Sequence, residues 1–333
     1  RFFDINDLVG VRIEDAEVYA LTHQLVDDLI AGGNVTGLRI DHIDGLRNPS
    51  EYLRRLQRTT GTTREDEPFY VLVEKILVGG EELPLEWPVA GTTGYEFLNI
   101  ATGLFTDRTA AVALDQIYSR TIGRDPNFGE LVYRQKHRVI TELFTASLHQ
   151  LTELLHSIAQ EEREAVDITR RELRAALTEL AAWFPVYRTY VHESGMTYQD
   201  RVFLEEAASA AIARRPDLHD ALSFVSRKLT LAGLVDMQSD TRQRALDFVL
   251  RWQQFTGPVM AKGFEDTSLY IYSWLISLNA VGGEPEAIAL TSTDVHHWIA
   301  RRSETWPHAM NSSSTHDSKR SEDVNARINV LTE

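Results

Sequence analysis

The sequence predicts an α/β fold: part of a (β/α)8 TIM barrel that is interrupted by an all-helical insertion subdomain. Helical and strand patterns alternate over residues 1–124, as in βα units. The predicted strands end in carboxylates, and residues 125–251 carry almost no strand pattern. We therefore predict a first part of the barrel at 1–124, the helical insertion at 125–251, and the continuation of the barrel at 252–333.

In chain order, a helix follows Glu14-Asp15 and stops at Gly32-Gly33, where the left-handed backbone suits glycine. A strand over 35–40, a helix over 49–58 and a strand over 69–77 come next. The second strand is apolar on both faces, which is typical of a parallel strand covered by helices. Residues 87–97 form either a loop shaped around a ligand or an ordinary glycine-rich connection.

The insertion is predicted to consist of helices, and the barrel pattern returns after it. Residues 184–190 form an aromatic segment broken by a proline, and packing is a better explanation for it than stacking on a sugar ring. A short strand within 257–266 is predicted to deliver Glu265 and Asp266 at its end. A last helix over 321–331 opens with Ser-Glu-Asp.

Composition excludes several classes of function. The net charge of −15 and the lack of any basic block argue against a nucleic-acid partner. No apolar run reaches the roughly 18 residues needed to span a membrane, and no signal peptide is recognisable at the start. The absence of cysteine excludes disulfides and thiolate chemistry and is typical of a cytoplasmic protein.

The chemistry-bearing residues cluster at predicted strand ends. Alternation along a strand puts Arg39 and Asp41 on one face, and Glu74 ends the next strand. Taken alone, Arg39 and Asp41 form either a structural ion pair or part of an active site. In a barrel, strand ends converge on one face, so His316 and Asp317 join them.

Two carboxylates about 5 Å apart, one ionised and one protonated, are the groups that retaining glycoside chemistry needs. Arg39 is expected to keep Asp41 ionised by its positive charge, and burial is expected to raise the pKa of Glu74. We expect no cofactor and no metal, because His-x3-His and EF-hand spacings are absent and His296-His297 are adjacent. The sequence also lacks a Gly-x-Ser-x-Gly elbow, a P-loop and a dinucleotide fingerprint.

The strand-end motifs resemble those of the α-amylase family of glycoside hydrolases and transglycosidases. Within it the chain is similar to the trehalose-forming branch, the maltooligosyl trehalose synthases, over its whole length. The resemblance is carried by Gly-Leu-Arg-Ile-Asp-His at 37–42, Val-Glu-Lys-Ile-Leu at 73–77, Trp-Pro-Val-Ala-Gly-Thr-Thr-Gly-Tyr at 87–95, Phe-Pro-Val-Tyr-Arg-Thr-Tyr at 184–190, Lys-Gly-Phe-Glu-Asp-Thr at 262–267 and Ser-Thr-His-Asp-Ser-Lys-Arg at 314–320.

The resemblance implies a role for each acid. Asp41 would be the nucleophile and Glu74 the acid/base. Asp317 would hydrogen-bond the sugar, although Asp266 stays an alternative for this third carboxylate. The resemblance further implies substrate contacts for Arg39, His42, Asp44, Lys75, Tyr95, Glu265, Asp266, His316, Lys319 and Arg320.

The implied enzyme is an isomerase, a (1→4)-α-D-glucan 1-α-D-glucosylmutase. It would act on a maltooligosaccharide and convert the reducing-end α-1,4 linkage to an α,α-1,1 linkage through a covalent glycosyl-aspartate, a step in trehalose biosynthesis. The alternatives are an α-1,4-glucan hydrolase or other transglycosidase of the same family, and a non-catalytic carbohydrate-binding relative. The chain matches about strands 4 to 7 of the family's barrel. We therefore expect a piece of a longer protein that is inactive alone, with an oligomeric state that the sequence leaves open.

Overall fold

The computed structural model of the protein describes residues 9–60, 68–123, 127–232, 239–286 and 289–333. The chain divides into two units. The sheet unit consists of Val11–Ile43, Pro49–Phe128 and Ser268–Glu333. The helical unit consists mainly of Gly129–Thr267, together with the short segment Asp44–Asn48.

The sheet unit is built on three short parallel strands, β1 (Gly37–Ile40), β2 (Tyr70–Val73) and β3 (Gly91–Thr92). They pair in the order β1-β2-β3, with Ile40 opposite Val73 and Leu72 opposite Gly91. Val71, Leu72 and Val73 are buried, which explains the unbroken apolar run of β2. The predicted parallel order of the first two strands is therefore confirmed.

Thirteen α-helices lie in the described residues. In chain order they are α1 (Ala16–Ala31), α2 (Pro49–Thr59), α3 (Tyr95–Leu104), α4 (Ala111–Ile122), α5 (Phe128–Glu142), α6 (Thr145–Ala159), α7 (Arg170–Trp183), α8 (Tyr198–Arg214), α9 (His219–Leu229), α10 (Ser239–Met260), α11 (Leu269–Ile271), α12 (Ser292–Thr305) and α13 (Glu322–Asn329). None of these helices is long and apolar enough to cross a membrane.

The core of the helical unit surrounds α7, which packs against α6, α8 and α9. Leu173, Leu177 and Leu180 are fully buried on it. The helix begins with a capping box: the Thr169 hydroxyl accepts from the Glu172 N–H, and the Glu172 carboxylate accepts from the Thr169 N–H. The described residues of this part of the chain are mainly helical, and the division of the chain at 125 and 251 stays a prediction.

The predicted strand within 257–266 is wrong. Residues up to Met260 belong to α10, and Ala261–Ser268 continue as a π-helix. Buried Val259, Met260 and Phe264 recur at helical spacing, so packing overrides the break that Gly257-Pro258 suggests. A side chain at Gly263 would come within 2.7 Å of the Lys136 Cα, so this helical path also depends on glycine.

The strands predicted in 252–333 are absent from its described part, 252–286 and 289–333. The third strand is instead β3, inside the segment predicted as a glycine-rich loop. β3 has only two residues, and one of them is glycine, so it shows no apolar alternation. The sequence therefore did not predict this strand. The described sheet is thus a small parallel sheet, and a partial TIM barrel is not confirmed.

Segment 309–312 lies along β3. The Met310 N–H donates to the Thr92 carbonyl at 3.2 Å, and the Ser312 hydroxyl donates to the Thr93 carbonyl at 2.9 Å. At Gly94 φ is +92°, and a Cβ there would lie 2.5 Å from the Met310 carbonyl oxygen. Glycine is therefore required at position 94 both for its backbone conformation and for this close approach.

Gly94→Ala is expected to lower the free energy of unfolding by at least about 2 kcal/mol, since overpacking adds to the unfavourable φ. Gly33→Ala is the matched control, because Gly33 also has positive φ (+71°) but nothing lies within 4 Å of its Cβ position. The control is expected to cost about 1 kcal/mol. Urea denaturation measures both variants, and equal losses would contradict the close approach at Gly94.

Candidate active site

The site begins where two neighbouring strands end. Ile40 and Val73 are paired in register, so the next residues, Asp41 and Glu74, leave the sheet side by side. The Glu74 N–H donates to the Ile40 carbonyl at 2.8 Å and extends the ladder by one bond. The carboxyl ends of parallel strands meet at one edge of a sheet, which explains why residues 33 positions apart in the sequence become neighbours (74 − 41 = 33).

One guanidinium joins the two carboxylates. Arg39 Nη1 lies 2.6 Å from Asp41 Oδ1, and Arg39 Nη2 lies 3.2 Å from Glu74 Oε1. Arg39 and Asp41 are two residues apart at the end of β1, so alternation puts both on one face, as predicted. The guanidinium presents its donors in a planar fork, which suits it to hold both acids at once.

The backbone at His42 supplies another contact to Glu74. His42 has a φ of +48°, a left-handed conformation that costs a non-glycine residue about 1–2 kcal/mol. Its N–H donates to Glu74 Oε2 at 2.8 Å, so the tight turn after β1 helps to fix the carboxylate. This backbone donor was missed in the sequence, because nothing in a residue type announces a positive φ at histidine.

The second half of the site comes from α3 and from the chain after segment 309–312. The buried Tyr95 hydroxyl lies 3.0 Å from Glu74 Oε1 and 2.9 Å from Asp317 Oδ2. His316 Nε2 lies 3.5 Å from Asp317 Oδ1. Tyr95 is the first residue of α3, directly after Gly94, so the close approach at that glycine also sets the position of the hydroxyl.

The pKa values of the two strand-end acids are shifted in opposite directions. Burial opposes the charge on Asp41, but hydrogen bonds with Arg39 and Glu74 and the Arg39 charge lower its pKa below the usual range. Burial raises the pKa of Glu74; the His42 N–H opposes this, and the nearby Asp41 carboxylate adds to it. The Asp41 side chain is 66% exposed and that of Glu74 only 13%, which matches these directions. Both predicted directions are confirmed.

Asp41, Glu74 and His316 also offer ligand atoms that all lie within 4.8 Å of one another. A cation at this point would compete with Arg39, which already pairs with both carboxylates. We therefore assign no metal to the cluster, and the expectation that the protein needs none stays a prediction.

Three further residues of the sheet unit that were predicted to contact the substrate make other contacts. The Lys75 side chain is buried and its Nζ lies 2.8 Å from Glu81 Oε1. Lys319 Nζ lies 5.0 Å from the centre of the Tyr270 ring. Arg320 Nη1 donates to the Ile276 carbonyl at 3.1 Å.

Three other predicted residues belong to the helical unit. Asp44 is buried, and its carboxylate accepts a hydrogen bond from the Tyr190 hydroxyl. Glu265 is also buried and accepts from the Tyr187 hydroxyl. Asp266 pairs with Lys262 at 2.6 Å on the π-helix. Asp317 therefore lies in the cluster around Glu74, whereas Asp266 belongs to the other unit.

No family model matches the chain. A curated Mycobacterium tuberculosis protein named as a maltooligosyl trehalose synthase is 32% identical over 335 residues, which cover 100% of this chain and 40% of that protein. The solved maltooligosyltrehalose synthase from Arthrobacter ramosus is 35% identical with a TM-score of 0.85, covering 100% of this chain and 39% of that one. A solved Sulfolobus tokodaii protein, described as a hypothetical maltooligosyl trehalose synthase, is 32% identical with a TM-score of 0.75, covering 100% of this chain and 39% of that one.

The similarity extends over the whole chain in both sequence and structure. The chain spans 40% of the length of the curated relatives it matches. The chain is homologous to the maltooligosyl trehalose synthases and matches about 40% of their length.

Proposed function

We propose that the protein containing this chain isomerises the reducing end of a maltooligosaccharide, turning the terminal α-1,4 linkage into an α,α-1,1 linkage. The single observation that carries the proposal is the pair of carboxylates on Arg39, of which Asp41 has a lowered and Glu74 a raised pKa. A retaining glycosyl transfer needs an ionised nucleophile beside a protonated acid. The names of the related proteins support the choice of substrate and product.

In the proposed mechanism Asp41 attacks the anomeric carbon of the glucosyl unit that precedes the reducing-end glucose. Glu74 gives its proton to the leaving oxygen as that bond breaks. The product of this step is a covalent glycosyl-aspartate and a free glucose. The anomeric hydroxyl of that glucose then attacks the intermediate while Glu74 takes the proton back, and Asp41 is released.

Asp317 is proposed as the third carboxylate, which would bind sugar hydroxyls and stabilise positive charge in the transition state. Its place beside Tyr95 and His316 supports this choice over Asp266, which pairs with Lys262 in the helical unit. The substrate contacts predicted for Arg39, His42, Asp44, Lys75, Tyr95, Glu265, Asp266, His316, Lys319 and Arg320 stay predictions, as does the cytoplasmic location.

A complete β/α barrel in the longer protein is also a proposal. The three parallel strands are the support for it, because parallel sheets occur almost only in folds with helices over both faces. The backbone bond from Met310 to Thr92 adds a further neighbour to β3. Additional strands would be formed by residues of the longer protein that correspond to the part of the relatives that this chain does not match.

Product analysis tests the proposed reaction. The full-length natural protein that contains this sequence is incubated with maltopentaose. Reducing ends are expected to disappear while little glucose is released, because the freed glucose is the acceptor and water is excluded. A hydrolase of the same family would instead increase reducing ends, and that result would exclude the isomerase.

Asp41→Asn in the same protein is expected to lower product formation by roughly a thousandfold or more, because an amide is a poor nucleophile. Asp28→Asn is the matched control, since Asp28 is an exposed carboxylate of α1 outside the cluster. Activity of Asp41→Asn within a few-fold of the control would remove Asp41 from the role of nucleophile.

Glu74→Gln tests the acid. In the unsubstituted protein, activity should fall at high pH as Glu74 loses its proton and at low pH as Asp41 gains one. Glutamine does not titrate, so the variant should no longer show the fall at high pH. Its turnover of maltopentaose should drop about a thousandfold. A maltosyl fluoride donor needs no proton on its leaving group, so its first step should stay within about tenfold of the unsubstituted protein. Equal losses on both donors would contradict a role for Glu74 as general acid.

A further inference from the structure

The Tyr95 hydroxyl lies between two acids. It is 3.0 Å from Glu74 Oε1 and 2.9 Å from Asp317 Oδ2, and both distances are typical of hydrogen bonds. A phenol carries one proton and can donate only one such bond at a time. The hydroxyl must therefore choose between Glu74 and Asp317.

The choice depends on which acid is charged. Burial raises the pKa of Tyr95; a hydrogen bond with Thr315 opposes this, and the charges of Glu74 and Asp317 add to the increase, so the phenol keeps its proton. A hydrogen bond to a carboxylate is worth more than one to a neutral carboxylic acid. While Glu74 holds its proton, Tyr95 donates to Asp317; once Glu74 is ionised, both acids compete for the same O–H.

We propose that Tyr95 is a positioning residue whose hydroxyl proton turns from Asp317 to Glu74 and back during one turnover. The inference rests on the proposed function, from which it takes the order in which Glu74 loses and regains its proton. It goes beyond that function by joining the acid/base to the third carboxylate through one side chain that itself is never ionised.

The steps balance without any proton leaving Tyr95. When Glu74 gives its proton to the departing glucose oxygen, the Tyr95 O–H rotates from Asp317 to the new carboxylate. When the glucose hydroxyl attacks the glycosyl-aspartate, its proton moves to Glu74 and the Tyr95 O–H returns to Asp317. The hydrogen bond thus stabilises the ionised form of Glu74 in the interval between the two transfers.

Other groups also face Glu74, and among them is a ring nitrogen of His316 within 4.8 Å of its carboxylate. Arg39 pairs with both Glu74 and Asp41, and the His42 N–H is fixed in the backbone. Tyr95, in contrast, can redirect its donor by rotating one C–O bond. Its ring is 1% exposed, so the oxygen stays in place while the proton moves.

The test is a Tyr95→Phe variant of the full-length protein, with the titration of Glu74 as the readout. Infrared spectroscopy can follow the C=O stretch of the protonated Glu74 carboxyl, identified as the band that Glu74→Gln removes. Loss of the Tyr95 donor should raise the pH at which this band disappears by about one unit, because the ionised form loses a hydrogen bond. The high-pH limb of activity should move in the same direction.

Tyr52→Phe is the matched control, since it also removes a tyrosine hydroxyl in the sheet unit, here one bonded to His23 at 2.9 Å. It should leave the Glu74 titration unchanged even if it lowers stability. An unchanged titration in Tyr95→Phe, or an equal shift in the control, would overturn the inference.

A double-variant cycle tests the link to Asp317. Asp317→Asn leaves the Tyr95 proton more available to Glu74, so it should lower the Glu74 titration point more in the presence of Tyr95 than in Tyr95→Phe. Equal shifts in both backgrounds would show that the two acids are coupled by charge alone and would overturn the switch. The infrared readout needs no turnover, so it is independent of the product analysis. A failure of the proposed reaction and a failure of the Tyr95 switch can therefore be told apart.

Discussion

The contact of one arginine with two carboxylates is the interaction on which the site depends. Two negative charges within 4.8 Å repel by about 3 kcal/mol at an effective dielectric constant of about 20. Arg39 offsets this repulsion, and its shorter contact is with Asp41. The charge is therefore concentrated on the exposed acid, and the buried acid, Glu74, is the one on which a proton is stabilised. Parallel strands in register provide the spacing that makes this division possible.

The arrangement of Arg39, Asp41 and Glu74 could largely be predicted from local sequence patterns. The period of two along β1 placed Arg39 beside Asp41, and the apolar run of β2 indicated that Glu74 emerges from a buried strand. The directions of both pKa shifts then followed from charge and burial. These predictions hold because each depends on neighbours within one or two residues in the chain or in the sheet.

Features that depend on distant parts of the chain were not predictable in this way. The strand β3 has only two residues, and its neighbour, segment 309–312, has no strand pattern. Within 257–266 the sequence favoured a short strand, but the burial of Val259, Met260 and Phe264 keeps the chain helical. The pairing of buried Lys75 with Glu81 likewise depends on the fold, because nothing in the local sequence marks these two residues as partners.

The bond between Tyr95 and Asp317 has a consequence for biosynthesis. The two residues are 222 positions apart, and most of the helical unit is translated between them. At about 5–20 residues per second, a ribosome needs roughly 10 to 40 seconds to make that stretch. During this interval Arg39, Asp41, Glu74 and Tyr95 have been made but Asp317 has not. The nascent chain therefore carries Asp41 and Glu74 before it carries Asp317, the residue that completes the cluster.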